Sequence, residues 1–148
     1  MFHRESTVHV DASPEAVFDY VTDVRRHPEW ANEPMEIALD PGPERGKGAK
    51  FHSTVKFMGT VKATGEVIEE TRPSRFVYEC EDSSGHYRWT FTLTPEDGGT
   101  RLSHLSERLE APIYVRVMQP ILWPFVGAKM VGGGVANIKR NLESGAKA

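Results

Sequence analysis

The chain has one cysteine among its 148 residues, Cys80, so no disulfide can close within it and a cross-linked framework is excluded as its source of stability. A charge excess is lacking too. Eighteen Lys and Arg stand against 21 Asp and Glu, and a net charge of -3 gives no electrostatic ground for nucleic acid or an anionic membrane as partner. Long hydrophobic runs are missing. VMQPILWPFVGA, residues 117–128, is interrupted by two prolines and flanked by Arg116 and Lys129. It falls short of the roughly 20 apolar residues a bilayer span needs, so no transmembrane segment is expected. A core helix is the preferred reading of this run and an interfacial anchor the alternative. The start, MFHRESTVHVD, has no apolar h-region, which predicts no secretory signal and a cytoplasmic location. The six histidines, at 3, 9, 27, 52, 86 and 104, form no HxH, HExxH or Cys/His pairing, and no metal is expected. Neither a GxSxG elbow, a P-loop nor a GxGxxG turn occurs, and no cofactor is expected.

What is present is an ordinary globular composition, 39% hydrophobic and 26% charged, at the length of one domain spanning 1–148. STVHVDAS, 6–13, alternates Ser6, Val8 and Val10 against Thr7, His9 and Asp11 with the period of a half-buried strand. Ser13 and Pro14 then supply an N-cap and a first helical residue, and Ala16, Val17, Tyr20 and Val21 mark an apolar helical face. Thr22 and Asp23 can cap a second short helix, expected to stop near Pro28 in a corner that ends on Trp30.

After the turn-rich DPGPERGKG the period is two. Phe51, Ser53, Val55 and Phe57 share a face, as do Val61, Ala63, Gly65 and Val67, and the two runs read as a hairpin joined near Gly59. RFVYEC aligns Phe76, Tyr78 and Cys80; GHYRWTFTL aligns Tyr87, Trp89, Phe91 and Leu93. PEDGG turns the chain into TRLSHLSER. From 113 to 142 the period returns to 3.6. Ile121, Pro124, Ala128, Val131, Val135, Ile138 and Leu142 form one stripe, with Lys129, Asn137, Arg140 and Asn141 opposite. Within it stand Gly132, Gly133 and Gly134, each costing about 1 kcal/mol of helix propensity. Gly132 and Gly134 fall on the shoulders of the stripe, where they make room for close approach; Gly133 is expected to point away from the sheet.

VDASPEAVFDYVTDVRRHPEWA (10–31), GAKF (48–51) and GGTRLS (98–103) together resemble the START-like (SRPBCC, helix-grip) superfamily, in particular its polyketide cyclase/dehydrase branch of small bacterial proteins. The resemblance implies an α+β helix-grip: a curved antiparallel β-sheet of about seven strands wrapped around a long C-terminal helix, with two short helices after the first strand. It also implies an elongated apolar cavity for a lipid, sterol, aromatic or polyketide-like ligand. Fold alone does not assign the task.

The last strand carries the most specific expectation. If Leu102 points inward, the pleat sends His104, Ser106 and Arg108 inward as well. Buried polar groups need partners. In an apolar cavity, His104, Ser106 and Tyr87 would orient a ligand; alternatively Leu105 and Leu109 face the core, or Tyr78 or Tyr87 satisfies His104. Trp30, Phe57, Tyr78, Trp89, Phe91, Val131 and Val135 complete the expected lining. The leading function is binding of a small hydrophobic molecule. An enzyme of cyclase or dehydratase type with His104 as acid/base is the alternative, and a membrane-surface or partner-docking role through 113–126 is the third. Asp23, His27 and Glu29 read as a structural corner rather than an acid/base group. Monomer and homodimer both stay open.

Overall fold

The computed structural model describes residues 3–56, 59–127 and 132–145, without the side chains of 119, 122–127 and 145. Phe57 and Val131, and with them the expected stripe positions Pro124 and Ala128, lie outside that description.

Strand β1 (His3–Val10) leads into helix α1 (Pro14–Val21), a 3₁₀ turn at Val24–Arg26 and the single-turn helix α2 (His27–Trp30). Strands β2 (Met35–Leu39), β3 (Lys50–Lys56), β4 (Thr60–Thr71), β5 (Arg75–Asp82), β6 (Gly85–Glu96) and β7 (Gly99–Glu110) follow, then helices α3 (Ile113–Gly127) and α4 (Gly133–Gly145). The seven strands form one antiparallel sheet in the order β1-β7-β6-β5-β4-β3-β2. This is an α+β fold with an open seven-stranded sheet and a C-terminal helix. Only β2 escaped individual placement in the sequence, because MEIAL is too short to display its period before the turn-rich stretch.

Helix α1 starts as its residues dictate: the Ser13 hydroxyl accepts from the Ala16 N–H at 3.2 Å and Pro14 takes the first turn. Val17, Phe18, Tyr20 and Val21 are buried, while Ala16, expected on that face, is exposed. Its small side chain made the position ambiguous, and Phe18 holds the core in its place. Pro28 does not stop the corner. It sits in the first turn of α2, where its missing N–H leaves no intrahelical bond unmade.

The interior is assembled from the sheet's inward residues together with α1, α2 and α4: Val10, Val17, Phe18, Val21, Phe51, Val67, Phe76, Phe91, Leu93, Leu102 and Ile138 are all at most 3% exposed. Gly65 is required by one close approach. A Cβ there would run into the Phe51 ring, which crosses β4 at that point. Gly65→Ala is therefore expected to destabilise by about 1–3 kcal/mol through overpacking, read as a lower urea midpoint; an unchanged midpoint would contradict the packing described.

The 113–142 segment departs from its expected single stripe. Val135, Ile138 and Leu142 are buried as predicted, but Ile121 is 62% exposed, alongside Ile113, Tyr114, Val117 and Met118 on α3. Periodicity reports which side of a helix is apolar, not what covers it. Two polar positions are corrected as well. Asn137 and Asn141, one turn apart on α4, donate to the backbone carbonyls of Trp30 and Glu29, each at 3.0 Å, so they tie α4 to the last turn of α2 rather than facing solvent. Asn137→Ala is expected to cost about 1 kcal/mol, seen as a lower thermal midpoint; a neutral outcome would show that this bond does not hold the corner.

The glycine run is corrected in the same place. A Cβ on Gly133 would meet Asn32 Oδ1 at 2.7 Å, so this glycine faces the loop after α2 and not open solvent. At Gly134 the neighbour is the Trp30 ring, at 3.4 Å, and at Gly132 it is Ser6 Oγ, at 3.8 Å. Only Gly133 is crowded, since 3.4 and 3.8 Å are ordinary van der Waals distances, and there the missing side chain lets α4 pass close to Asn32.

Candidate functional site

Register turns the alternation of β5, β6 and β7 into cross-strand rows. Phe76 pairs with Phe91 and Phe91 with His104; Tyr78 pairs with Trp89 and Trp89 with Ser106; Cys80 pairs with Tyr87 and Tyr87 with Arg108. Each row runs from aromatic or thiol on β5, through aromatic on β6, to polar on β7. His104 and Ser106 are both 2% exposed, so β7 points His104 inward and the alternative with Leu105 and Leu109 in the core is excluded.

The His104 ring is stacked on Phe91, with centroids 3.9 Å apart and planes within 8°. Trp89 lies at 5.1 Å, and Trp30 stands edge-on at 5.9 Å. Among the described residues neither ring nitrogen of His104 has a hydrogen-bond partner, and the same is true of the Trp30 indole nitrogen. The two side chains, nine-tenths or more buried, thus leave three polar atoms unmatched inside one group of packed rings. Buried polar atoms without partners are uncommon in native interiors. Burial pushes the His104 pKa down to about 3, with the nearby His27 acting in the same direction. Its imidazole is neutral at neutral pH.

Two tyrosines expected to reach His104 do other things. Tyr87 hydrogen bonds with the Ser84 hydroxyl and donates to Asp82 at 3.4 Å, and its ring lies under the Arg108 guanidinium at 4.3 Å. It belongs to the β5–β6 turn, and burial raises its pKa to about 12. Tyr78 is 6% exposed and packs between Phe51, Phe76 and Trp89, with its pKa raised by burial. Neither satisfies His104. Trp89 is half-buried against the core, and Val135 is 1% exposed on α4.

His27 is a residue the sequence placed in the corner without a partner. It is 3% exposed, its Nε2 is bonded to the Val21 carbonyl at 3.0 Å, and its ring contacts Trp30 and Tyr78. Burial lowers its pKa to about 4. Glu29 is engaged by Arg26 and Tyr20, and Asp23 caps the 3₁₀ turn, so this corner is structural. Among the described residues no group of three metal-ligating side chains converges, and no helix is long and apolar enough to cross a membrane.

The family model described as polyketide cyclase / dehydrase and lipid transport matches residues 1–143. The chain belongs to this family. Among curated proteins none matches. Similar solved structures include the protein TTHA0849 from Thermus thermophilus, with 18% identity, a TM-score of 0.78, and 97% of this chain and 99% of that one covered. A Rhodobacter sphaeroides protein aligns at 23% identity and a TM-score of 0.71, covering 96% and 93% of the two chains. The di-domain ARO/CYC StfQ from the steffimycin biosynthetic pathway aligns at 14% identity and a TM-score of 0.71 over 99% of this chain and 52% of that one. At such identities these likenesses establish the shared fold alone. The polyketide cyclase / dehydrase and lipid transport family therefore supplies the setting, and the particular residues within it must carry any assignment.

Proposed function

We propose that the protein binds a small hydrophobic ligand between the inward face of its sheet and the C-terminal helix, with Trp30, Tyr78, Trp89, Phe91 and Val135 as lining and His104 and Ser106 as its polar contacts. The observation carrying this reading is the pair of buried, unpartnered polar side chains, Trp30 and His104, set among aromatic rings. A purely structural core would place apolar residues there, since each unmatched polar group costs about 1–3 kcal/mol. A site that takes up a ligand keeps them because the ligand supplies the partners. Affinity then comes chiefly from removing apolar ligand surface from water, at about 25 cal/mol per Å². Family membership is consistent with such a ligand.

The enzymatic alternative with His104 as general base is weakened by electrostatics. A base works best with a pKa near the operating pH, and at about 3 the imidazole is far too weakly basic. His104 fits a neutral hydrogen-bonding group instead. Titration with the neutral fluorophore N-phenyl-1-naphthylamine is expected to give saturable, one-to-one binding; linear, non-saturable emission would overturn the reading.

A second reading rests on α3. Its residues Ile113, Tyr114, Val117, Met118 and Ile121 are 46–72% exposed, and 111–127 contains one arginine and no acidic residue. An apolar helix face that meets water is suited to an interface, and we take a lipid bilayer surface as its occupant, the place from which a hydrophobic ligand is collected. Co-sedimentation with phosphatidylcholine vesicles should fall when Val117 and Ile121 are both changed to Ser; wild-type protein that stays in the supernatant would refute it.

A further inference from the structure

Trp30 and His104 also constrain the ligand's chemistry. Resting on the reading above, we propose that the ligand presents an uncharged carbonyl oxygen and a hydroxyl group to these two side chains. An indole nitrogen is a donor only, whereas a neutral imidazole is one donor and one acceptor. The unmatched atoms at this place are therefore two donors and one acceptor. The two imidazole nitrogens diverge from the ring, so one ligand atom cannot serve both. A hydrocarbon or acyl tail satisfies none of the three. A carbonyl accepts from the imidazole N–H, and a hydroxyl accepts from the indole N–H and donates to the other imidazole nitrogen.

Charge is decided by what surrounds the pair. His104 forms no ion pair among the described residues, and the inward cation of its strand, Arg108, lies four residues along β7, about 13 Å away at strand rise. The Arg108 guanidinium lies over the Tyr87 ring and donates to the Ser84 carbonyl, while its Nε has no partner among the described residues. A carboxylate beside His104 and Trp30 would be a buried charge without a counter-ion, which is strongly disfavoured. Asn137 bonds the Trp30 carbonyl at 3.0 Å, and a Cβ on Gly134 would stand 3.4 Å from Trp30 Cε3 and Cζ3, on the part of the indole away from its nitrogen.

The test is isothermal titration of the full chain with a matched series: fluorene, 9-fluorenone and 2-hydroxy-9-fluorenone, with palmitate as the charged comparison. Three added hydrogen bonds should tighten binding from fluorene to 2-hydroxy-9-fluorenone by about tenfold or more, and palmitate should bind more weakly than the hydroxyketone. In His104→Leu the ratio between the first and last compounds should shrink to about twofold. Because Trp30→Phe alters a core ring, its part is read in wild-type protein by NMR: the Trp30 indole N–H should move downfield with 2-hydroxy-9-fluorenone and stay in place with fluorene. Equal affinities across the series, tighter binding of palmitate, or an unmoved indole resonance would overturn the inference while leaving hydrophobic binding intact. Absence of saturable binding by the series and by N-phenyl-1-naphthylamine alike would instead overturn the underlying reading.

Discussion

Between about pH 6 and pH 4.5 the protein is expected to lose about 2 kcal/mol of stability for each pH unit. His27 and His104 have folded-state pKa values of about 4 and about 3, below the ordinary 6.5, because burial disfavours their charged forms. The unfolded chain therefore binds more protons than the folded chain throughout the interval from the ordinary value down to the folded ones. Stability rises with pH wherever the unfolded state holds the excess, so it is fully present above about pH 6.5 and drains away on acidification. One group contributes at most about 1.4 kcal/mol per pH unit, and two acting together approach twice that. For a domain with about 5–15 kcal/mol in hand, the loss of about 5 kcal/mol by pH 4 is a large share of the total. Urea unfolding at half-unit steps of pH measures the slope, and a midpoint that does not move between pH 6 and pH 4.5 would show that these imidazoles are not buried as described.

Replacing His104 by leucine is expected to raise the stability of the ligand-free protein by about 1–2 kcal/mol at pH 7 while weakening ligand binding at least tenfold. Leucine is close to histidine in volume, and it removes two buried nitrogens that have no partner among the described residues. Eliminating an unmatched polar group recovers its desolvation cost, which exceeds the loss of the stacking contact with Phe91. The same variant should halve the acid slope, since one of the two responsible groups is gone. A stabilised variant with impaired binding is the signature of a residue kept for its ligand rather than for the fold. If His104→Leu were destabilised by 2 kcal/mol or more, the ring nitrogens would have partners in the native state and the site would have to be reconsidered.

The behaviour of these two histidines was only partly legible in the sequence. Strict alternation in TRLSHLSER placed His104 and Ser106 inward beside Leu102, because a pleated strand permits two faces and the leucine marked one of them. Alternation could not say that Tyr78 and Tyr87 would leave His104 unpartnered. That depends on side-chain reach across the sheet, and Tyr87 turns out to be occupied by Ser84 and Asp82. The helix start at Ser13 and Pro14 was readable because its chemistry is local. The roles of Asn137 and Asn141 were hidden, since a polar residue on a helix looks solvent-facing unless the neighbour that needs its hydrogen bond is known. Two asparagines one turn apart, both poor helix formers, were the available hint. Gly133 shows the same limit. A helical projection fixes its angle relative to the apolar stripe, but the loop carrying Asn32 covers that angle from outside the sheet. Local patterns thus yielded the strands and most of the core, whereas the roles of the α4 asparagines and of Gly133 depended on a second element approaching the helix.

The central claim is that Trp30 and His104 are left unmatched in the protein because a small oxygen-bearing molecule completes them. Native mass spectrometry of the freshly purified wild-type chain and of His104→Leu tests it most directly. The account predicts a one-to-one complex in the wild type, with a released hydrophobic species that contains oxygen, and a bare chain in the variant. Wild-type and variant spectra that are equally empty, or that carry the same pure acyl or hydrocarbon species in equal amount, would contradict it.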